Sequence, residues 1–443
     1  MTRSWLLAFG CLTLGLPALV PACGSDDSNP PAGAAASGGA ANDASSEGTS
    51  GMGGSGVSGG GAAGKGGGSA GVAGSAGGGE GGTSGSAGTG NGGSAGVAGS
   101  AGGGEGGTAG SAGVAGAAGA AGGGGSPGAQ IIADHSIVDR YDDIPPMYIA
   151  AVKKMWFNII GESHSTGYLK GLTFLAAQDP NYAVVAVATG APPAYQEGAL
   201  RVSRSLRNQY NNWSSGGGEA VWYTNAAGMT SVRNHIDYCE GNSLHIAAIA
   251  FGWCWDMTWH NGPGGTMDPV HKVRWAGSSE GGPDGDLRWG LDDNDLALTG
   301  NHVSMQTYLD ATRQYGEYCT GKSYTTKVLY TTGPVDGYSG ESGVQRQIKH
   351  DAIRQYVLAD SSRILFDYAD ILAWSNANTQ NLQSWTDTDG NARSYQMIHA
   401  DNMLELDGSP HVEDGDHIGG RGALRLGKAV WWLMARLAGW NGQ

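Results

Sequence analysis

Residues 23–128 are built almost wholly from Gly, Ala, Ser and Thr, and this tract sets how much of the chain can fold at all. Of the 81 glycines in the 443-residue chain, 46 fall before residue 129. A segment with so few apolar side chains has nothing to bury against the entropy lost on ordering its backbone. The run Gly-Gly-Ser-Ala-Gly-Val-Ala-Gly-Ser-Ala-Gly-Gly-Gly-Glu-Gly-Gly-Thr stands at 67–83 and recurs unchanged at 92–108. It carries no hydrophobic face to stack into a solenoid, and its glycines lack the strict three-residue period of collagen. The expectation is a disordered tether over 23–128, with a root-mean-square reach of roughly 50–60 Å for about a hundred residues. Folding falls to residues 129–443, long enough for one large domain with its own core.

The first 22 residues have a different character. One positive charge, Arg3, precedes an apolar stretch from Trp5 to Leu19, the layout of a secretory signal peptide rather than a membrane span. The stretch ends in Val20-Pro21-Ala22-Cys23, which resembles a bacterial lipobox. The resemblance implies a lipid on Cys23 as the first mature residue, with ordinary cleavage after Ala22 as the alternative. Two or more acyl chains on one residue make a stable membrane anchor, where a single chain does not. No acidic residue follows Cys23 directly, so the expected destination is the outer membrane or cell surface. After residue 22 no run reaches the roughly 18 apolar residues that a spanning helix needs.

Charge narrows the partners. Six of the 40 acids and two of the 25 bases precede residue 129, leaving 34 against 23 and a net charge of −11 on the folding portion. A surface this acidic repels phosphate backbones, so nucleic acid is excluded as the expected partner.

From residue 150 onward, short apolar runs alternate with amphipathic ones. Met155–Ile160, Tyr182–Ala188, Leu244–Phe251, Lys327–Thr331 and Arg363–Phe366 read as five buried strands. A helix with Leu169, Leu172, Leu175 and Ala176 on one face follows the first strand. Another spans 343–360, and a last one, apolar nearly all round, covers Gly420–Leu437. Such alternation predicts a three-layer α/β/α sandwich around a mainly parallel five-stranded sheet. Working residues in such sheets lie beyond the carboxyl ends of the strands.

Directly after the first strand stands Gly161-Glu162-Ser163-His164-Ser165, and just before the last helix stands Asp414-Gly415-Asp416-His417. A serine hydroxyl needs a base to become a nucleophile, and imidazole is the base suited to neutral pH. The imidazole in turn needs a carboxylate to fix its tautomer and stabilise its charged form. These two blocks resemble the first and last blocks of the SGNH (GDSL-type) hydrolase family, Gly-Asp-Ser after the first strand and Asp-x-x-His ahead of the C-terminal helix. The resemblance implies a catalytic trio of Ser163, His417 and Asp414, with Ser165 as a rival nucleophile and no cofactor or metal. It implies a serine esterase that hydrolyses an acyl ester, with acetyl groups on polysaccharide as a candidate substrate.

Two parts of the family pattern are altered. The oxyanion glycine after the second strand is assigned to Gly190, with Gly198 as the alternative. The asparagine after the third strand is missing: Gly252-Trp253-Cys254-Trp255-Asp256 stands where the family has Gly-x-Asn-Asp. Gly252, Trp253, Cys254 and Trp255 are therefore the expected oxyanion and substrate-binding residues, with Cys254, a backbone amide or another side chain replacing the asparagine. The segment 253–301 is long for a strand-to-helix connection and holds Trp253, Trp255, Trp259, Trp275 and Trp289. Exposed indole faces would stack on sugar rings, whereas core packing would hide them. That ambiguity supports a rival reading, a non-catalytic surface module that binds glycan. Its acidic residues, and the turn Asp387-Thr388-Asp389-Gly390-Asn391, complete no calcium loop and read as solvated turns. His164, His260 and His271 show no tight metal-ligand spacing.

The last expectation concerns thiols. An exported chain meets an oxidising compartment, and the folding portion has Cys239, Cys254 and Cys319. Cys239 and Cys319 share a Tyr-Cys-x-Gly setting at the ends of two helices, so a Cys239–Cys319 disulfide is expected, with Cys239–Cys254 as the rival.

Overall fold

The structure is a computed structural model that describes residues 130–208, 210–258, 265–277, 288–413, 415 and 417–443. The predicted signal peptide, Cys23 and the tether lie outside the described residues, as do Asp414, Trp259 and His260. No helix among the described residues is long and apolar enough to cross a membrane.

Eleven strands run in chain order through the described residues: β1 (Ile132–Ala133), β2 (Trp156–Gly161), β3 (Val184–Val187), β4 (Leu200–Ser203), β5 (Ser205–Arg207), β6 (Trp213–Ser215), β7 (Ala248–Gly252), β8 (Lys327–Thr331), β9 (Leu365–Phe366), β10 (Leu382–Thr386) and β11 (Ala392–Gln396). The α-helices are α1 (Pro146–Val152), α2 (Ser165–Gln178), α3 (Ala226–Gly241), α4 (Leu296–Thr299), α5 (Met305–Gly321), α6 (Glu341–Leu358), α7 (Tyr368–Ala373) and α8 (Gly420–Leu437). Seven strands form the central sheet in the order β1-β9-β8-β7-β2-β4-β3, and its six pairings are all parallel. The pairs β5–β6 and β10–β11 are separate antiparallel hairpins.

Both faces of the sheet are covered. Phe157 and Ile159 of β2, with Ala248 and Ala250 of β7, pack into one core with Leu172 of α2 and Trp431 of α8. Trp156 and Ile160, with Ile249 and Phe251, point the other way and pack with Ile236 of α3, Tyr308 of α5 and Ile353 of α6. The side-chain period of two thus splits each buried strand between two cores, which is why these strands read as continuous apolar runs.

Strands β2, β3, β7, β8 and β9 fall on the five predicted runs, but the sheet has seven. One addition, β1, is a two-residue edge strand beside β9. The other, β4, is inserted between β3 and β2, so the predicted second strand becomes the outer edge and does not touch the first. Helix α2 lies so close to α8 that a Cβ on Gly171 would sit 1.7 Å from the Ala423 carbonyl oxygen. This crossing locks the first helix after the site to the last helix of the chain.

The expected disulfide is absent: Cys239 and Cys319 are unlinked, and both are buried, as is Cys254. Helices α3 and α5 contact each other, and both cysteines lie in the same apolar core without a bond between them. Cys239 Sγ lies 3.8 Å from His235 Nδ1, one turn back on its own helix. Burial pushes the Cys319 thiol up to about 11, with the charges of Glu240 and Asp237 adding to the shift.

Candidate active site

The carboxyl end of β2 bends sharply into α2. Gly161 adopts φ +138°, and a Cβ there would fall 2.1 Å from the Gly252 carbonyl oxygen, so only glycine lets β2 close on β7 at this point. The Glu162 amide donates to that carbonyl over 2.7 Å, which seats the turn. Arg204, at the end of β4, then ties the turn together. Its guanidinium donates to Ser165 Oγ at 2.5 Å, to Thr166 Oγ1 at 2.8 Å and to the Glu162 carbonyl at 2.9 Å. Ser165 is fully buried and held by Arg204, while its own hydroxyl donates to the Glu162 carbonyl. The rival nucleophile is therefore a structural group.

Ser163 is placed differently. Its Oγ lies 2.9 Å from His417 Nε2 and 3.1 Å from Cys254 Sγ, a meeting of residues 254 positions apart in the chain. The hydroxyl has one proton to give, so it donates to one of these neighbours and accepts from the other. On the far side of the imidazole, Glu413 Oε2 lies 3.0 Å from Nδ1. Partial burial raises the Glu413 carboxyl, but the close approach of His417 and its charge outweigh this and hold it below its usual value. His417 sits at φ 62°, a left-handed conformation that costs a residue with a Cβ of the order of 1–3 kcal/mol. The loop before α8 thus accepts strain at the residue that reaches the serine. The predicted carboxylate, Asp414, lies outside the described residues, and the pattern Asp-x-x-His drew attention away from Glu413.

A second imidazole stands beside the first. The rings of His164 and His417 are 4.7 Å apart, and Trp255 lies 4.3 Å from the His417 ring. His164 Nε2 is bonded to Asp336 Oδ1 at 3.0 Å, and Trp255 Nε1 donates to Asp336 Oδ2 at 3.0 Å. Burial alone would raise the Asp336 carboxyl; the neighbouring His164, and His417 beyond it, override this and keep it low. Asp336 lies in the loop after β8, one of the strand ends where ligands gather.

The remaining predicted binding residues divide. Gly252 carries close packing, since a Cβ on it would sit 2.4 Å from Ser165 Cβ. Trp253 is 2% exposed, with Nε1 donating to the Thr331 carbonyl, and Trp275 and Trp289 are at most 1% exposed. These three indoles are core, and among the described members of the Trp-rich segment only Trp255 faces the site. Gly190 follows the edge strand β3, and a Cβ on it or on Gly198 would meet nothing within 4 Å. The glycines that do abut the serine turn are Gly216 and Gly218. A Cβ on Gly216 would lie 2.7 Å from the Gly161 amide nitrogen, and one on Gly218 would lie 1.8 Å from Glu162 Oε1. Their signal was the run Gly216-Gly217-Gly218, missed because β4 was missed. His271 stacks edge-on near Trp275, away from the His164 cluster.

Among the described residues, three groups of side chains converge closely enough to hold a cation: His164, Cys254 and His417; Asp134, His135 and Asp370; and Glu162, Glu219 and Asp256. The second is already spent on structure, since Asp134 caps the turn at Ser136 and His135 is bonded to Asp370. In the third, burial first and the Asp256 charge second push the Glu219 carboxyl well above its usual range. The acidic turn at Asp387 is the hairpin between β10 and β11, with the carboxylate accepting from the Asp389 and Asn391 amides and from Arg393.

No family model matches this chain, and no curated protein or solved structure is significantly similar to it.

Proposed function

We propose that residues 129–443 are a serine hydrolase of SGNH type acting on ester bonds. The observation that carries this reading is the approach of His417 Nε2 to Ser163 Oγ at 2.9 Å, with a carboxylate 3.0 Å from the opposite ring nitrogen. In this mechanism His417 takes the Ser163 proton as Oγ attacks the ester carbonyl, then returns it to the leaving alcohol. Water, activated by the same imidazole, releases the acyl group in a second step. Glu413, or Asp414 from the same loop, orients the ring and stabilises its charged form.

The oxyanion site departs from the family. The Cys254 amide is committed to Asp256 Oδ2 at 3.0 Å, so only the thiol is left to Cys254. A thiol is a weak donor; the Gly216 amide is committed to the Arg204 carbonyl at 2.6 Å, so in this reading the backbone that stands in for the family's glycine comes from Gly217 and Gly218, after hairpin strand β6. The burial of Trp253, Trp275 and Trp289 removes most of the stacking surface that a glycan-binding module would need. Export, a lipid anchor at Cys23 and a cell-surface location complete the proposal, with an acylated polysaccharide as the substrate class.

The test is covalent labelling of the full-length protein with a fluorophosphonate, followed by mapping of the modified residue. Labelling on Ser163 that disappears in Ser163→Ala and His417→Ala supports the reading. Absence of labelling in folded wild-type protein, or labelling elsewhere, overturns it.

A further inference from the structure

We infer that His164, Cys254 and His417 form a binding site for a borderline-soft divalent cation of the zinc type, and that its occupation switches the serine off. The inhibitory half of this inference rests on the hydrolase reading above; the binding half does not.

The argument begins with His164. Its side chain is 1% exposed, and its Nε2 is bonded to Asp336. Its Nδ1 is buried and has no hydrogen-bond partner among the described residues. A protonated Nδ1 would be a buried donor without an acceptor, which costs more than a buried lone pair. The tautomer that fits therefore has its proton on Nε2, facing Asp336, and a bare lone pair on Nδ1. That is the state in which imidazole binds a metal.

The neighbours of that ring are the right ones. Ligand atoms of His164, Cys254 and His417 all lie within 4.8 Å of one another. A tetrahedral zinc with Zn–N of about 2.0–2.1 Å and Zn–S of about 2.3 Å needs ligand atoms roughly 3.3–3.6 Å apart, so closure asks each pair of ligand atoms to approach by at most about 1.5 Å. Two imidazoles and a thiolate suit zinc and exclude calcium or magnesium, which take oxygen ligands. Each histidine also has a carboxylate on its other nitrogen, Asp336 for His164 and Glu413 for His417. This outer pattern orients and strengthens metal-bound imidazoles.

Binding proceeds by loss of the Cys254 thiol proton to solvent and formation of bonds to the sulfur and the two ring nitrogens. Ser163 Oγ, within 3.1 Å of the sulfur and 2.9 Å of His417 Nε2, or a water fills the fourth position. His417 then has no lone pair for the serine proton, and hydrolysis stops.

The experiment titrates the full-length protein with Co²⁺ as a spectroscopic stand-in for Zn²⁺, then displaces it with Zn²⁺. The expected result is a near-ultraviolet thiolate-to-cobalt band that saturates at one equivalent and is lost in Cys254→Ser. His164→Ala should abolish the saturable step, and Asp336→Asn should weaken it about 10- to 100-fold. Circular dichroism of each variant confirms its fold. A second readout is fluorophosphonate labelling of Ser163, blocked by Zn²⁺ in wild type and not in His164→Ala. No band in wild type, or a band that survives Cys254→Ser, overturns the site. A band without any labelling in metal-free protein sinks the hydrolase reading and leaves the metal site standing; labelling without a band does the reverse.

Discussion

Replacing Glu413 by Gln tests how the histidine is supported, and the structure sets the size of the effect. The carboxylate stands 3.0 Å from His417 Nδ1, where two unit charges attract by about 1.4 kcal/mol in water and about 5.5 kcal/mol at an effective dielectric of 20. The Glu413 side chain is 57% exposed and that of His417 13%, so solvent screening puts the working value near the lower end, about 1.5–2.5 kcal/mol. Gln keeps a hydrogen-bond acceptor and removes the charge. The expected loss in kcat/KM is about 10- to 100-fold, carried by kcat because the imidazole is charged in the transition state and not in the free enzyme. The acid limb of the pH–rate profile should move to lower pH by about one unit, since an anion that favours the protonated ring has gone. High salt should narrow the gap between wild type and variant. The assay is hydrolysis of short-chain p-nitrophenyl esters from pH 5 to 9 at two ionic strengths. Unchanged kinetics would refute the assignment of Glu413 and pass the role to Asp414, for which Asp414→Asn is the paired variant. A loss near 10⁴-fold would refute the screening argument, because that size belongs to a desolvated carboxylate.

Gly171→Ala places a Cβ 1.7 Å from the Ala423 carbonyl oxygen at the α2–α8 crossing; destabilisation of about 3 kcal/mol or more is expected by urea unfolding. Gly190→Ala, at φ +90° with open space around it, should cost only about 1 kcal/mol in the same assay. Burial holds His235 down to about 3, so the native state gains most above the unfolded value of about 6.5 and loses stability as pH falls. Between pH 7.5 and 4.5 that loss should be about 2–3 kcal/mol and should be largely absent from His235→Gln, as read from unfolding curves at the two pH values. Non-reducing peptide mapping of alkylated, denatured protein should recover Cys239 and Cys319 as separate alkylated peptides; a Cys239–Cys319 peptide pair would contradict the unlinked thiols described above.

The parts of the site that were legible in the sequence are those whose chemistry is carried by the side chain itself. Ser163 and His417 stand at the end of an apolar run and at the start of an apolar helix, so pattern and chemistry agree on them. The helix Gly420–Leu437 and the strand Lys327–Thr331 were visible in the same way, with bounds that the structure repeats. Strand β4 was hidden because Leu200-Arg201-Val202-Ser203 has a cation at its centre. Arg201 is nonetheless 1% exposed, lying over the Trp156 ring and donating to the Leu244 carbonyl. A pattern of hydrophobicity cannot show that a guanidinium is buried by an aromatic face and a carbonyl.

Missing that one strand propagated into the site. With β4 absent, the loop after β3 reads as the neighbour of β2, which is why Gly190 is the expected glycine, whereas Gly216 and Gly218 are the ones that abut the serine turn. It also hid Arg204, whose bonds to Ser165, Thr166 and the Glu162 carbonyl hold the serine turn in place. The tryptophans failed for a related reason: composition tells how much indole a segment carries, while its direction depends on partners such as the Thr331 carbonyl that takes the Trp253 N–H. Cys254 is the case in which sequence and geometry bear on each other most. The sequence reads it as one candidate substitute for an oxyanion asparagine, and its thiol lies 3.1 Å from Ser163 Oγ. What that reading lacked was His164, whose Nε2 is turned to Asp336, whose Nδ1 is buried without a partner among the described residues, and whose ring lies 4.7 Å from that of His417. A lone cysteine beside a serine suggests a weakened esterase; a cysteine between two carboxylate-backed imidazoles suggests one that a metal ion can silence.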